Sequence, residues 1–247
     1  MASSTSRKTL LLTGASRGIG HATVKTFARE GWRVISCSRQ AFSADCPWPS
    51  GEEDHMQVDL ADPKQTIEAI ETIKSRLKDG KLHALVNNAG VSPKDENGGR
   101  LNTLDTDLGA WGRVVHVNFF ATVVRARGLK EEMATAKGSV GNVTSIAGAR
   151  VHPFAGAAYA TSKAALAALT REMAHDFGPL GVRVNAIAPG EVETSILSEG
   201  TDKIVAGLPM RRLGQPEEVA AAIYFLCSEA SSYVSGAEIE VNGAQHV

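Results

Sequence analysis

A tyrosine and a lysine lie four residues apart in the stretch Tyr159-Ala160-Thr161-Ser162-Lys163. On a helix, positions i and i+4 share one face, so the phenol and the ammonium can act together. A tyrosine has a pKa of about 10, and a neighbouring cation would favour its phenolate and lower that value. The spacing therefore suggests an acid–base pair, with one exposed tyrosine and one solvated lysine as the alternative.

A glycine-rich stretch near the N-terminus suits a phosphate group. Residues 13–20 read TGASRGIG, after the apolar stretch 9–13 and at the start of the helical pattern 19–29. Glycine lets the backbone turn sharply and approach a ligand, and the helix start offers unpaired N–H groups and the positive end of its dipole. The alternative is a glycine-rich turn that binds nothing. The residues predicted to hold a dinucleotide pyrophosphate are Gly14, Ser16, Arg17, Gly18, Ile19 and Gly20.

The end of the second predicted strand bears on the choice between NAD and NADP. Residues 35–39 read ISCSR and contain no carboxylate to bind the ribose hydroxyls of NAD. Arg17 and Arg39 instead bring guanidinium groups near the adenosine end, and a guanidinium binds phosphate in a bidentate manner. We predict NADP(H), with Ser38 and Arg39 among the binding residues. NAD is the less favoured cofactor, and two solvated surface arginines are the alternative.

The elements that must position these residues alternate between short apolar strands and longer helical patterns. Strands are predicted at 9–13, 33–38, 55–58, 82–86, 139–144, 182–188 and 237–241, and helices at 19–29, 62–80, 108–135, 157–177 and 216–228. Such alternation implies right-handed crossovers and helices on both faces of a parallel sheet. We predict an α/β fold: a single-domain, doubly wound, Rossmann-like parallel sheet over residues 1–247. Its ligands would bind at the carboxyl ends of the strands.

Composition excludes several classes of function. The 247 residues are 43% hydrophobic and 21% charged, with a formal net charge of −1, which gives no positive surface for nucleic acid. The apolar run 9–12 that follows the polar N-terminus is too short for a signal-peptide core or a membrane span, and we expect residues 1–8 to be flexible. Three cysteines without CxxC spacing argue against disulfides and favour a reducing, cytoplasmic location. The histidines lack HxxxH spacing, so no metal site is predicted.

Further motifs follow the glycine loop in a fixed order. They are Asn87-Asn88-Ala89-Gly90, Asn118, Ser145, the Tyr159–Lys163 pair and Pro189-Gly190. In this order the set resembles the short-chain dehydrogenase/reductase family over nearly the whole chain, from Leu10 to Val247. The resemblance implies hydride transfer between NADP(H) and a small carbonyl compound or secondary alcohol.

The resemblance also implies a role for each motif residue. Tyr159 would be the proton donor or acceptor, and Lys163 would lower its pKa and bind the nicotinamide ribose. Ser145 would hydrogen-bond the substrate oxygen, with helix capping as the alternative role. Asn118 would hold a water that connects Lys163 to solvent, with a surface amide as the alternative. Further cofactor contacts, including Asp59 near the adenine, are expected from Val58, Asp59, Asn88, Ala89, Gly90, Pro189, Gly190, Val192 and Thr194.

The sequence says less about substrate and partners. A mobile lid is expected at 191–212, and its apolar residues suit a small or medium, apolar-bodied carbonyl compound. The polar loop 93–103 and residues 152–154 are expected to border the site. A 3-oxoacyl-carrier-protein reductase is an alternative, with a basic patch for the carrier; a non-catalytic NADP-binding regulator is a remote one. The patch residues would be Arg125, Arg127 and Lys130, with a solvated helix face as the alternative. The resemblance also implies a homotetramer.

Overall fold

Seven parallel strands form one sheet in the computed structural model, which describes residues 7–42, 51–194 and 205–245. Across the sheet the order is 3-2-1-4-5-6-7, so the chain reverses direction of winding between β1 and β4. The crevice above such a reversal is the usual ligand site of a doubly wound sheet. The predicted strand bounds differ from the observed ones by at most two residues. The strands are β1 Thr9–Thr13, β2 Arg33–Ser38, β3 His55–Gln57, β4 Ala84–Asn87, β5 Ser139–Val143, β6 Arg183–Pro189 and β7 Glu238–Val241.

Helices cover both faces of the sheet, as the strand–helix alternation predicts. They are α1 Gly18–Arg29, α2 Pro63–Arg76, α3 Leu108–Val115, α4 Ala121–Gly128, α5 Lys130–Ala136, α6 Ala157–Phe177 and α7 Pro216–Cys227. On one face α1 and α7 pack around Phe27 and Ile223. On the other face α2, α4 and α6 pack around Ile70, Ile73 and Met173. The predicted fold is therefore confirmed.

Helix α2 begins where its capping residues predict. The carboxylate of Asp62 accepts the N–H groups of Lys64 and Gln65, and Pro63 occupies the first helical position. Its predicted end at Gly80 is wrong, because Leu77 leaves the helical conformation and turns into the core. Gly80 instead closes the following turn, where its N–H donates to the Leu77 carbonyl at a φ of 65°.

The single helix predicted over 108–135 is also wrong. A π-helical turn, His116–Phe120, separates α3 from α4, and Leu129 separates α4 from α5. A π turn adds a residue to the helix and often occurs at functional sites. Here it includes the buried Asn118. The break follows Gly128, where an added Cβ would lie 2.7 Å from the side chain of Ile70 on α2.

Some predictions concern residues outside the described ranges. They include most of the 1–8 segment and residues 195–204 of the predicted lid. Cys37 and Cys227 are buried free thiols. Within the described ranges, no helix combines the length and the apolar character needed to cross a membrane.

Candidate active site

A cleft of about 1070 Å³ opens along the carboxyl ends of the strands. Its walls come from the loops that follow β1 through β6 and from the first turns of α6. Every site residue predicted from the sequence lines this cleft except Asn118, which lies behind its wall. The motifs are far apart in the sequence, and the common direction of the parallel strands brings them to one edge.

The glycine loop is closely packed on itself. A Cβ added to Gly20 would lie 2.0 Å from the carbonyl oxygen of Gly14, and Gly14 itself has a φ of 71°. The Asn88 amide donates to the carbonyls of Thr13 and Gly14, both at 3.0 Å, and so ties the loop to the end of β4. The positive φ therefore favours glycine at position 14, and the close approach of the Gly14 carbonyl requires glycine at position 20.

The N-terminus of α1 suits an anion. Arg17 precedes the helix without a side-chain capping bond, and the first turn contains no acidic residue. Gly18, Ile19 and Gly20 line the cleft at this point. Uncapped N–H groups and the helix dipole favour a negative group. The loop and helix start therefore fit the pyrophosphate of a nicotinamide dinucleotide.

Helix α6 brings Tyr159 and Lys163 to the opposite end of the cleft. Lys163 is 3% exposed, and its Nζ donates to the Val143 carbonyl at 2.6 Å. The same Nζ lies 5.7 Å from the centre of the Tyr159 ring. Burial lowers the pKa of Lys163 to about 8. Ser145 hydrogen-bonds Tyr159 and also accepts the N–H of Ala147, so it is both a partner of the tyrosine and a helix cap.

The pKa of Tyr159 shifts in the direction opposite to the sequence prediction. Burial raises this pKa, the hydrogen bond with Ser145 opposes the rise, and the carboxylate of Glu191 adds to it. The prediction of a lowered value is wrong because the tyrosine is itself desolvated and the Lys163 ammonium is directed to the Val143 carbonyl.

Asn118 is 1% exposed, so the surface-amide alternative is wrong. Its Oδ1 accepts the Val91 N–H at 2.8 Å, and its Nδ2 donates to the Val91 carbonyl and to the Ser162 hydroxyl. These bonds fix the loop after β4 to helix α6. A Cβ added to Gly90 would lie 3.4 Å from Lys163 Nζ and 3.5 Å from Asn118 Oδ1, so Asn118 stands just behind the lysine.

The other end of the cleft contains the predicted adenosine contacts. Arg17 and Arg39 are both exposed there. The Ser38 hydroxyl donates to the Gln40 carbonyl at 2.8 Å, which shapes the turn after β2. Asp59 is exposed, and its Oδ1 accepts the Ala61 N–H at 3.0 Å. The two guanidinium groups therefore belong to the same mouth of the cleft.

Three polar side chains near Tyr159 form a group that sequence analysis did not assemble. His152 Nε2 lies 2.8 Å from Glu191 Oε1, and the Lys94 ammonium donates to the Phe154 carbonyl. All of them line the cleft. Lys94 lies in the polar loop expected to border the site, and His152 and Phe154 lie in the second expected segment. Glu191 was missed, although a carboxylate directly after Pro189-Gly190 was a visible signal.

Arg125 does not belong to the basic patch considered for an acyl carrier, because it is 3% exposed. Its guanidinium donates to Asn87 Oδ1 from Nε at 3.1 Å and from Nη2 at 2.9 Å. Asn87 continues the chain of bonds to Asn142, which donates to Thr170 on α6. Burial lowers the pKa of Arg125 to about 10. Arg125 therefore supports the strands behind the cleft, while Arg127 and Lys130 remain exposed.

Comparison with known proteins identifies the family. A family model described as enoyl-(acyl carrier protein) reductase matches residues 14–246. The crystal structure of a short-chain dehydrogenase/reductase from Brucella ovis, in complex with a partially ordered NAD, superposes with a TM-score of 0.84. It is 61% identical to this chain and covers 96% of this chain and 100% of its own. This chain belongs to the short-chain dehydrogenase/reductase family.

Two curated proteins are similar to this chain over nearly its whole length. Protein FixR of Bradyrhizobium diazoefficiens is 59% identical over 97% of this chain and 87% of its own length. The 3-oxoacyl-[acyl-carrier-protein] reductase FabG of Aquifex aeolicus is 35% identical over 96% of each chain. The family resemblance that the motifs indicate is therefore confirmed.

Proposed function

We propose that this chain transfers hydride between a nicotinamide cofactor and a carbonyl compound or secondary alcohol. The observation that carries the proposal is the meeting of Ser145, Tyr159 and Lys163 at one end of a cleft whose other end suits a pyrophosphate. Membership of an oxidoreductase family supports it. A non-catalytic binding protein would not need a hydroxyl pair hydrogen-bonded at this position.

The side chains divide the chemistry between them. When bound, the nicotinamide supplies or accepts the hydride. In the reducing direction Tyr159 gives its proton to the carbonyl oxygen, and in the oxidising direction it takes the proton from the alcohol. Ser145 donates a hydrogen bond to the same oxygen, where negative charge develops. Lys163 Nζ lies 5.7 Å from the centre of the phenol ring, and this cation would oppose the rise in the Tyr159 pKa and stabilise the phenolate formed during the reaction. Asn118 holds the loop that borders this lysine.

The remaining predicted residues would hold the cofactor. Residues 14–20 would bind the pyrophosphate, and Val58 and Asp59 would lie beside the adenine. The 88–90 turn would enclose the nicotinamide half together with Pro189, Gly190, Val192 and Thr194. In this family fold the two halves of a dinucleotide lie on either side of the strand reversal. The lining of the cleft supports this placement.

NADP(H) is the proposed preference. Two exposed arginines stand at the adenosine end, and the end of β2 offers no carboxylate to a ribose. The related Brucella ovis structure holds NAD, so the preference has to be measured against both cofactors.

The first experiment titrates the purified protein with NADPH and with NADH and follows fluorescence. Ketones and an acetoacetyl thioester are then assayed with the cofactor that binds. Tighter binding of NADPH together with turnover of a ketone is the expected result. Equal binding would contradict the cofactor preference, and binding without turnover of any carbonyl compound would contradict the proposed chemistry.

A 3-oxoacyl-carrier-protein reductase is the second candidate, favoured by the 35% identity to FabG of Aquifex aeolicus. The burial of Arg125 removes one of the three cations expected to bind an acidic carrier. Reduction of an acyl-carrier thioester that exceeds reduction of simple ketones, and that falls on substitution of Arg127 and Lys130, would favour this candidate.

We also propose that the protein is a homotetramer in which each chain forms a single domain over residues 1–247. We propose a cytoplasmic location for it. Leu108 at the start of α3 and Phe120 in the π turn before α4 are exposed apolar side chains, which supports assembly through this part of the chain. The free thiols Cys37 and Cys227 suit a reducing compartment. The described residues of the terminal segment bond within the chain, since Gln245 accepts from Arg150 and from the Glu191 N–H. A monomer in light scattering at micromolar concentration would contradict the tetramer.

A further inference from the structure

The polar group beside Tyr159 holds a carboxylate in a defined orientation. The Phe154 N–H donates to His152 Nδ1 at 3.3 Å, which assigns the ring proton to Nε2. That Nε2–H then donates to Glu191 Oε1 at 2.8 Å. The side chains of His152 and Glu191 are only 12% and 14% exposed. One oxygen of Glu191 is thus occupied by the imidazole, and within the part of the chain that the structure describes no hydrogen bond occupies the second oxygen, Oε2.

The backbone of Glu191 is held as firmly as its side chain. Its N–H donates to Gln245 Oε1 at 3.1 Å, and its carbonyl accepts the Gly214 N–H at 2.9 Å. A Cβ added to the preceding Gly190 would lie 2.8 Å from the same Gln245 oxygen. Because both ends of the residue are fixed, the carboxylate is a preorganised acceptor and loses little entropy when a ligand binds.

Lys94 adds a donor to the same end of the cleft. An ammonium has three N–H groups, and one of them goes to the Phe154 carbonyl. Burial lowers the pKa of Lys94, and the nearby carboxylates of Glu191 and Asp95 oppose that shift. The carboxylate of Glu191 therefore raises the pKa values of both Lys94 and Tyr159, and all three residues line the same cleft.

We propose that Glu191 and Lys94 together bind a second hydroxyl group of the substrate, so that the enzyme oxidises a diol or polyol and reduces the corresponding hydroxyketone. This inference deepens the proposed function and rests on it. The reacting hydroxyl gives its proton to Tyr159 and its carbon gives hydride to the oxidised nicotinamide cofactor, which leaves a carbonyl carbon. The second hydroxyl is unchanged in the reaction.

A hydroxyl is the group that satisfies both side chains. A hydroxyl donates to the carboxylate and accepts from the ammonium. A substrate amine would be repelled by the ammonium of Lys94, and a substrate carboxylate would be repelled by the carboxylate of Glu191. An apolar tail would desolvate both charges without a partner, which is costly. The charged side chains of Glu191 and Lys94 thus add a polar requirement to the small or medium carbonyl compound expected from the sequence.

The test compares butan-2-ol with butane-2,3-diol, which have the same carbon skeleton. The wild-type protein is expected to oxidise the diol with a kcat/KM about ten- to a hundred-fold higher, the range that one or two charge-assisted hydrogen bonds supply. Glu191→Gln keeps the shape of the side chain but presents an NH₂ donor where the free oxygen stood. We expect this variant to lower the diol-to-alcohol ratio by about ten-fold or more.

Glu193→Gln is the matched control. This carboxylate lies two residues further along the same segment, is exposed and binds Gln215 at 2.7 Å. It does not line the cleft, so the control should retain the wild-type ratio. Equal kcat/KM values for the two alcohols in the wild-type protein, or equal losses for both in Glu191→Gln, would overturn the inference.

Binding without turnover gives a second measurement. The Tyr159→Phe protein is loaded with the oxidised cofactor and titrated calorimetrically with each alcohol. The diol should bind more tightly, and addition of Glu191→Gln should abolish the difference. Oxidation of butan-2-ol without any preference for the diol would refute this inference alone. If the wild-type protein binds the cofactor but oxidises neither alcohol, the proposed function is contradicted. If the diol does not bind to the cofactor-loaded Tyr159→Phe protein, the inference is refuted independently of turnover.

Discussion

At the catalytic end of the cleft, Lys163 and Asn118 are buried and hydrogen-bond the backbone of neighbouring elements. At the adenosine end, Arg17 and Arg39 are exposed. Charges removed from water interact strongly, whereas exposed charges are screened by solvent and salt. Substitutions at the catalytic end should therefore alter chemistry and stability, whereas those at the adenosine end should alter only cofactor affinity and cofactor preference.

The largest effect is expected from Tyr159→Phe, which removes the proton donor at the buried end. We expect kcat to fall about a thousand-fold, within the range of general acid–base catalysis, while the cofactor dissociation constant changes little. Steady-state kinetics and fluorescence titration measure the two quantities. Tyr233→Phe is the control, because this tyrosine is fully exposed. Unchanged turnover in Tyr159→Phe would contradict the mechanism.

Gly20→Ala tests the loop that joins the two ends. Its Cβ would lie 2.0 Å from the Gly14 carbonyl, so the loop has to shift. We expect a loss of about 1–3 kcal/mol in the free energy of unfolding and a cofactor dissociation constant raised at least about ten-fold. Gly112→Ala on α3, where the added Cβ meets open space, is the control. Equal denaturation midpoints for the two variants would show that the loop tolerates the methyl group.

Arg125→Ala extends the comparison to the support behind the buried end. The change leaves Asn87 Oδ1 without its guanidinium and opens a cavity, so we expect a loss of about 2–3 kcal/mol in the free energy of unfolding. Arg127→Ala, two residues along the same helix, removes an exposed side chain and should cost less than about 0.5 kcal/mol. Urea denaturation distinguishes these outcomes, and equal losses would contradict the buried role.

The pH dependence of stability should reveal the burial of Lys163. Its pKa is lowered from 10.5 to about 8 by burial, so the unfolded chain binds more protons between those values. The contribution of Lys163 to the free energy of unfolding is therefore complete above the pKa of lysine in the unfolded chain, 10.5, and is lost as the pH falls through about 8. Relative to Lys163→Met, wild-type stability should rise by up to about 1.4 kcal/mol per pH unit in this window.

Denaturation of both proteins from pH 7.5 to 10 measures this difference. Taking the difference between the two proteins cancels Cys37 and Cys227, whose pKa values burial raises to about 11. A difference that does not change with pH would mean that Lys163 is as well solvated in the folded protein as in the unfolded chain.

The smallest effect is expected at the exposed end. Arg39→Ala should raise the dissociation constant of NADPH by about ten-fold or less, because solvent screens the guanidinium. The NADH value should not change, and the NADPH effect should shrink at high salt. Arg29→Ala, at the far end of α1, is the control. Equal effects on NADH and NADPH would show that Arg39 does not discriminate between the cofactors.

The sheet, the strand bounds and most of the cleft lining could be predicted from the sequence alone. These features depend on local pattern: apolar strands, helix starts such as Asp62-Pro63, and the glycines of residues 14–20. Because every strand runs in the same direction, the residues after each strand necessarily meet at one edge. Linear order and local chemistry were therefore sufficient to predict these positions.

Which polar side chains are buried, and which of them form contacts, depends on tertiary packing and could not be predicted from the sequence. Arg125 and Arg127 look alike in the sequence, yet the packing of α4 on the sheet buries the first and exposes the second. The π turn that directs Asn118 inward, and the contact between His152 and Glu191, join residues whose spacing carries no periodic signal. Desolvation then raised the pKa of Tyr159, since a shift of this kind depends on how many neighbours exclude water and not on the type of one neighbour.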